Sequence, residues 1–246
     1  MKYQSESPRQ ICRGFLLCFN PHLKHWHFNA ILFVSIQLGV FMAYSYVKQQ
    51  IVTDQHNWCM KILNEVQDLL REYFTFDIRL IGSGDKRLVT QNGDEPFDLD
   101  YNLFIKRDKQ DLIDDPKKIK QLFRNAFKKV LTENLKPYNH VEDSTSVVTV
   151  TVFDKSCNVR FKFDVAILVD GDDGYAYKLV KNEQYYIWNR MPYSKDYAEK
   201  YLAIKRNNLY PDFKKRYLKL KNMHLSRQDN LKSFSIFLET LNEYRW

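Results

Sequence analysis

The stretch FDLDYNLFI (Phe97–Ile105) decides the fold, because its apolar and polar residues alternate with a period of two. This alternation predicts a β-strand with one buried face. Leu99 and Leu103 lie on that face, whereas Asp98 and Asp100 lie together on the opposite one. Neighbouring carboxylates repel each other unless a positive charge lies beside them. The stretch therefore predicts a bound cation, with a solvated strand face as the alternative.

The residues around this strand alternate between helical and extended patterns. Apolar residues recur at helical spacing from about Asp54 to Tyr73, and again from Pro116, where Asp114 or Asp115 can cap the helix. Extended patterns occur in DIRLIGS (Asp77–Ser83), STSVVTVTVF (Ser144–Phe153) and NVRFKFDVAILV (Asn158–Val169), the last two joined by a predicted hairpin. The order predicts an α+β fold, in which a mixed β-sheet is flanked by helices and followed by a mostly helical, basic C-terminal region.

The chain length of 246 residues allows one large domain or a domain with a helical extension. We expect an apolar N-terminal extension over residues 1–50, a core over 51–182 and a helical C-terminal region over 183–246. The candidate site residues discussed below, from Gly82 to Asp164, all fall in the predicted core.

The positive charge of the chain is concentrated in its C-terminal part. The formal net charge is +8, and residues 190–232 contain twelve Lys and Arg against four Asp and Glu. An excess of this kind favours anionic partners such as nucleotides or nucleic acid. The basic residues of this segment form either a solvated helical face or a surface that contacts phosphate groups.

The N-terminal part bears on localisation. Phe28–Val47 has about the length of a membrane span, but Asn29, Gln37 and Ser45 interrupt it. A span would also export the rest of the chain, since the basic residues precede it. We favour a helix buried against the main domain or an extension from an upstream start codon. The four cysteines show no disulfide-scaffold spacing, which favours a reducing, cytoplasmic environment.

A third carboxylate completes a candidate site. Asp164 lies within the second strand of the predicted hairpin, and the Gly82–Ser83 pair ends the strand before Asp98. If the strands are neighbours, Asp98, Asp100 and Asp164 converge as the oxygen ligands that Mg²⁺ or Mn²⁺ prefers. Small residues in the loop let backbone N–H groups approach a triphosphate. The alternative for Asp164 is an ion pair on its own strand face, with Arg160 or Lys162.

These motifs resemble a known family. IGSG (Ile81–Gly84) followed by FDLDYNLFI is similar to the Gly-Ser and Asp-x-Asp motifs of the nucleotidyltransferase fold of the DNA polymerase β superfamily, and FKFDVAI resembles its third-carboxylate strand. The resemblance covers roughly residues 54–169. It implies that Asp98 and Asp100 bind two catalytic metals, that Asp164 helps bind one and assists deprotonation, and that Gly82 and Ser83 hold the triphosphate.

Two features of the Gly-Ser loop depart from the family pattern. The segment between Ser83 and Asp98 is longer than usual, and the Thr that commonly follows the Gly-Ser pair has only Thr90 as a distant candidate. Lys86 follows the loop and is a candidate phosphate ligand, with a solvent-facing role as the alternative. Softer candidates, expected to contact the β- and γ-phosphates from the helical region, are Lys178, Lys195, Lys200 and Lys205. Tyr185, Tyr186 and Trp188 are candidates for stacking on a base.

The hypothesis is a metal-dependent enzyme that moves a nucleoside monophosphate from an NTP to an acceptor hydroxyl and releases pyrophosphate. The sequence leaves open whether the acceptor is a nucleotide, an RNA end, a small molecule or a protein, and it leaves the oligomeric state open. One alternative is a non-catalytic binding module on the same fold, such as an antitoxin-like protein. Another is an RNA-binding protein that uses basic residues of the C-terminal region, namely Lys214, Lys215, Arg216, Lys219 and Lys221.

Overall fold

The computed structural model describes residues 43–134, 140–153, 159–192 and 195–244. Its strands are β1 (Tyr44–Tyr46), β2 (Phe74–Ile81), β3 (Thr90–Asn92), β4 (Asp98–Asp108), β5 (His140–Asp143), β6 (Val148–Phe153), β7 (Val159–Asp170), β8 (Ala176–Asn182) and β9 (Tyr185–Arg190). Its helices are α1 (Gln49–Leu70), α2 (Gly82–Asp85), α3 (Pro116–Asn134), α4 (Lys195–Arg206), α5 (Tyr210–Arg227) and α6 (Ser233–Asn242).

Strand β7 is the centre of a seven-stranded mixed sheet. Along one edge it pairs with β4 in parallel. Along the other edge it pairs antiparallel with β6 and then with β8. Strands β2, β5 and β9 extend the sheet by antiparallel pairing, and β1 and β3 form a separate two-stranded sheet. The predicted α+β fold around a mixed sheet is confirmed.

The buried face of the sheet is covered by α1 and α3. Leu99 and Tyr101 of β4 and Phe163 of β7 are fully buried there. They belong to one apolar cluster with residues of α1 and α3, including Leu63 and Phe123. Burying each such side chain stabilises the fold by roughly 1.5–3 kcal/mol. The carboxylates alternate with these residues and are therefore held on the opposite face.

Helix α3 begins where the sequence predicts. Pro116 is its first residue, and Asp115 caps it by accepting a hydrogen bond from the backbone N–H of Lys118 at 3.0 Å. Every residue of its predicted apolar stripe is packed into the same cluster, with only Leu122 partly exposed.

The C-terminal helices form a second apolar cluster. Tyr201 of α4, Phe213 of α5 and Phe237 of α6 pack there with Leu88, which follows α2. Strand β9 precedes these helices and pairs with β8, so the described helices of this region begin at Lys195. The proposed division at residues 182 and 183 stays a prediction.

Several basic residues of the C-terminal region serve the fold itself. Lys221 is 6% exposed and donates hydrogen bonds to Thr90 Oγ1 at 2.6 Å and Ser233 Oγ at 3.1 Å. Arg216 is paired with Glu243 through both guanidinium nitrogens that face it. The RNA-binding alternative included Lys221, and this part of it is wrong because the buried ammonium cannot reach a phosphate backbone.

The predicted apolar run Phe28–Val47 lies mostly outside the described residues. Its end forms strand β1, which pairs with β3. Among the helices of the described residues, none combines the length and the apolar character that a membrane crossing requires. Residues 1–42 of the predicted extension lie outside the part of the chain that the structure describes, whereas Gln49 and Gln50 belong to α1.

A histidine links α5 to α6. His224 Nδ1 lies 2.6 Å from Asp229 Oδ2, and His224 Nε2 lies 2.8 Å from Glu239 Oε2. The hydrogen bond to Asp229 and then that to Glu239 raise the pKa of His224 above its ordinary value. Only the imidazolium can donate to both carboxylates, so protonation completes the link.

We expect the stability that His224 contributes to depend on pH. Because the folded pKa is raised, the contribution is fully present below the ordinary pKa of 6.5 and is lost as the pH rises through the folded pKa. Urea unfolding of the wild type and His224→Gln should therefore differ most below pH 6.5 and converge as the pH rises through the folded pKa. His56→Gln is the control, since burial lowers the pKa of His56 and predicts the opposite slope. Equal slopes for the two variants would contradict the assignment.

Candidate active site

The register of β4 on β7 brings the predicted carboxylates together. Asp100 pairs directly with Asp164, and Asp98 pairs with Lys162 two positions earlier. Neighbouring strands are about 4.8 Å apart. Residues that pair in register have their side chains on the same face of the sheet, so the side chains of Asp100 and Asp164 are neighbours. The condition set by the sequence, that these strands be neighbours, is met.

Burial and neighbouring negative charges raise the pKa of Asp98 and of Asp100. Burial, followed by the charges of Asp164 and Asp98, raises the pKa of Asp100 to about 6, against the opposing charge of Lys178. Burial and then the charge of Asp164 raise the pKa of Asp98, against the opposing charge of Lys162. A partly buried cluster of negative charge of this kind favours the binding of a cation.

Gly82 lies against the Asp100 side chain in a backbone conformation that favours glycine. It has φ +63°, and a Cβ at this position would lie 2.9 Å from Asp100 Oδ2. Strand β2 ends at Ile81, which pairs with Asp100, so the chain turns into α2 directly beside the carboxylates. The structure thus places Gly82 and Ser83 at the edge of the acidic cluster.

Solved structures share this arrangement of strands and helices. A STING-associated CdnE c-di-GMP synthase from Capnocytophaga granulosa matches with a TM-score of 0.57 and 15% identity, covering 80% of this chain and 61% of that one. DncV from Vibrio cholerae, in its GTP-bound form, matches with a TM-score of 0.50 and 13% identity, covering 80% of this chain and 57% of that one. The chain has the nucleotidyltransferase fold.

The resemblance stated from the motifs is confirmed at the level of the nucleotidyltransferase fold. DncV has also been solved as a cyclic AMP-GMP synthase in complex with a linear intermediate, with a TM-score of 0.50, 13% identity and coverage of 80% of this chain and 58% of that one. This chain spans about 57 to 61% of the length of these proteins. No protein-family model and no curated protein matches the sequence.

The segment between Ser83 and Asp98, whose length departs from the family pattern, contains regular structure. The segment contains β3, which pairs with β1. Thr90 at the start of β3 accepts a hydrogen bond from Lys221 of α5. Its hydroxyl is therefore engaged with the C-terminal helices, and the suggestion that Thr90 belongs to the Gly-Ser motif has no support in the structure.

Lys86 contacts the C-terminal helices. Its Nζ lies 3.5 Å from Asp85 Oδ2, and 5.9 and 5.7 Å from the ring centres of Tyr201 and Phe237. The hydroxyl of Tyr201 also donates to the backbone oxygen of Lys86 at 3.3 Å. These contacts fasten the loop to the helices, and the role of Lys86 as a phosphate ligand stays a prediction.

The softer lysine candidates separate into two groups. Lys178 was placed in the helical region, which is wrong: it lies on β8, where its charge interacts with Asp100 and Asp164 while burial lowers its pKa. Lys200 donates to Asn242 Oδ1 at 3.0 Å. The ammonium of Lys205 lies 4.6 Å from the ring centre of Tyr201. The lysine beside the carboxylates thus comes from the sheet.

The three aromatic candidates differ in their exposure and in their hydrogen bonds. Tyr185 is 73% exposed, whereas Trp188 donates its indole N–H to the backbone oxygen of Ile113 at 2.8 Å. Tyr186 donates a short hydrogen bond to Asp143. Tyr186 and Trp188 therefore fasten β9 to the core.

Thr149 is a site residue that sequence reasoning missed. Its hydroxyl donates to Asp164 Oδ1 at 2.6 Å. The available signal was the alternation of Thr with Val in VTVTVF, which indicates a strand with one hydroxyl-bearing face. Without knowledge of which strand lies beside β6, that face could not be assigned to Asp164.

The donor set fits Mg²⁺ that arrives with a nucleotide better than a closed metal cage. In the part of the chain that the structure describes, no three His, Cys, Asp or Glu side chains are arranged to hold a metal by themselves. Mg²⁺ commonly uses one or two carboxylates together with water and substrate phosphates. The carboxylates of Asp98 and Asp100, with the space that Gly82 leaves beside Oδ2 of Asp100, match that requirement.

Proposed function

We propose that this protein is a metal-dependent nucleotidyltransferase that uses an NTP and releases pyrophosphate. The observation that carries the proposal is the pairing of Asp100 with Asp164 on the face of the sheet opposite α1 and α3, next to the glycine turn at Gly82. Three carboxylates without a stabilising role are costly to the fold, because burial and mutual repulsion raise the pKa of two of them. A binding module that never held a cation would gain by losing them.

The proposed reaction is an in-line displacement at the α-phosphorus. The acceptor oxygen forms a bond to phosphorus while the bond to the pyrophosphate oxygen breaks, and the hydroxyl proton is given up to a base. When bound at Asp98, Asp100 and Asp164, divalent cations would neutralise the phosphates and lower the pKa of the acceptor hydroxyl. Asp164 would assist removal of the proton, and Gly82 and Ser83 would hold the triphosphate through backbone N–H groups.

A second nucleotide is the acceptor that we propose first. The similar solved proteins are described as a c-di-GMP synthase and a cyclic AMP-GMP synthase, and one of them contains a linear dinucleotide intermediate. The basic charge of the chain also suits nucleotide substrates. Because NTPs are abundant in the cytoplasm, the proposal carries the expectation that the protein works there.

The test is an incubation with each labelled NTP and with pairs of NTPs, in Mg²⁺ or Mn²⁺, beside an Asp98→Ala, Asp100→Ala double variant. We expect pyrophosphate from the wild type alone and a product that resists phosphatase, as a cyclic dinucleotide would. A labelled product formed on added RNA, on a small acceptor or on protein would support nucleotidyl transfer, but it would show that the acceptor is not a second nucleotide. Equal behaviour of the two proteins, together with metal-independent NTP binding or none, would favour the non-catalytic binding module.

A further inference from the structure

We infer that Thr149 is a positioning residue, whose hydroxyl orients the carboxylate of Asp164 toward the metal and nucleotide site. The inference rests on the proposed function. Thr149 lies on β6 directly opposite Asp164 in the antiparallel register, and its Oγ1 lies 2.6 Å from Asp164 Oδ1. A threonine hydroxyl held at this distance leaves the carboxylate little freedom to rotate.

The direction of the hydrogen bonds follows from the chemistry of the groups. An ionised carboxylate only accepts, so the single hydroxyl proton of Thr149 is directed to Asp164. Ser144 Oγ lies 3.1 Å from Thr149 Oγ1. Because the Thr149 proton is already used, Ser144 must be the donor in this second contact. The order of donation is therefore Ser144 to Thr149 to Asp164.

The turn that carries Ser144 is itself anchored from beneath the sheet. Lys120 of α3 is 2% exposed and donates to the backbone oxygens of Val147 at 2.8 Å and Ser144 at 3.5 Å. The same ammonium lies 3.4 Å from Asp143 Oδ1. A buried cation with three oxygen partners fixes the turn between β5 and β6, so Ser144 and Thr149 have a rigid support.

The need for such a support arises from repulsion between the carboxylates. Asp164 lies in register with Asp100, and two like charges on adjacent strands repel each other. The charge of Lys178 opposes this repulsion, but the pKa of Asp100 is still raised. A hydrogen bond to Oδ1 sets the plane of the carboxylate, and Oδ2 then takes a defined position. Partners of this kind behind metal-binding carboxylates typically change metal affinity or activity by about 10- to 100-fold when they are removed.

The experiment compares four proteins. Thr149→Val removes the hydroxyl at nearly constant shape, Thr149→Ser retains it, and Thr151→Val makes the same change two positions along the same face of β6, where the residue pairs with Lys162. Binding of Mn²⁺ alone is measured by electron paramagnetic resonance, and binding of a non-hydrolysable NTP is measured with and without Mg²⁺. Thermal unfolding of each variant reports whether the fold is intact.

We expect Thr149→Val to weaken Mn²⁺ binding by about tenfold or more, whereas Thr149→Ser and Thr151→Val stay close to the wild type. If Thr149→Val unfolds, Ser144→Ala replaces it and should weaken Mn²⁺ binding by a few fold. Unchanged Mn²⁺ binding in a folded Thr149→Val variant would overturn the inference while leaving the proposed function standing, as would failure of Thr149→Ser to retain binding. Absence of Mn²⁺ and Mg²⁺-dependent NTP binding in the wild type would overturn both.

Discussion

Asp100→Asn is expected to lower the rate of pyrophosphate release by at least about 10³-fold, a loss typical of groups that stabilise charge in phosphoryl transfer. The same variant should be more stable than the wild type. Burial and the charges of Asp164 and Asp98 raise the pKa of Asp100 to about 6, so its ionised form destabilises the fold at neutral pH. The measurements are pyrophosphate release and the thermal midpoint, which should rise by roughly 2–4 °C for each kcal/mol gained.

The sign of this stability change depends on pH. An acid with a raised folded pKa costs stability as the pH rises from its ordinary value of 3.8 to about 6, and the full cost is present above that range. The gain of Asp100→Asn should therefore appear near neutral pH and vanish below pH 3.8.

Asp77→Asn is the matched control for this variant. Asp77 lies on β2 and its exposed carboxylate pairs with Arg79 at 3.2 Å, so neither activity nor stability should change appreciably. If Asp100→Asn lowered the free energy of unfolding as well as the activity, the assignment would be contradicted. Asp100 would then support the fold instead of straining it.

Gly82→Ala is expected to reduce activity by about 100-fold, since misplacement of a reacting group by about 1 Å has effects of this order. The new Cβ would lie 2.9 Å from Asp100 Oδ2, and the carboxylate or the turn must move. The positive φ of +63° adds strain, worth about 1–2 kcal/mol of stability. Activity with saturating Mg²⁺ and the free energy of unfolding are the quantities to measure.

Gly174→Ala separates these two effects. Gly174 has φ +78° but a Cβ there would meet nothing within 4 Å. Its alanine variant should lose a similar amount of stability and keep its activity. Equal activity of the two alanine variants would show that the close approach of Gly82 to Asp100 has no part in the reaction.

Local signals in the sequence were sufficient for most of the sheet and for α3. Alternation in FDLDYNLFI placed Asp98 and Asp100 opposite Leu99 because successive side chains of a strand point to opposite faces. The Asp115–Pro116 start of α3 depends only on a cap and a fixed φ, which are local properties. The helix before the sheet was predicted from about Asp54 but begins five residues earlier, at Gln49, and Val52 in this added turn packs into the same apolar cluster.

Longer-range features were not available from the sequence. Lys178 was assigned to the helical region, yet it lies on β8 and its charge interacts with Asp100 and Asp164. The charge block of residues 190–232 indicated an anionic partner, but Lys221 is buried between β3 and α6. Whether a lysine is exposed depends on what packs around it, and composition does not record that.

The sequence by itself determined which residues carry charge and which face of each strand they occupy, because the pleat of a strand is a local property. It also indicated the nucleotidyltransferase fold through the order of its motifs. Tertiary structure alone decided that β4 lies parallel to β7 with Asp100 beside Asp164, and that Thr149 supports the third carboxylate from the other side. These pairings join residues far apart in the chain, and their register is set by the packing of the whole sheet against α1 and α3.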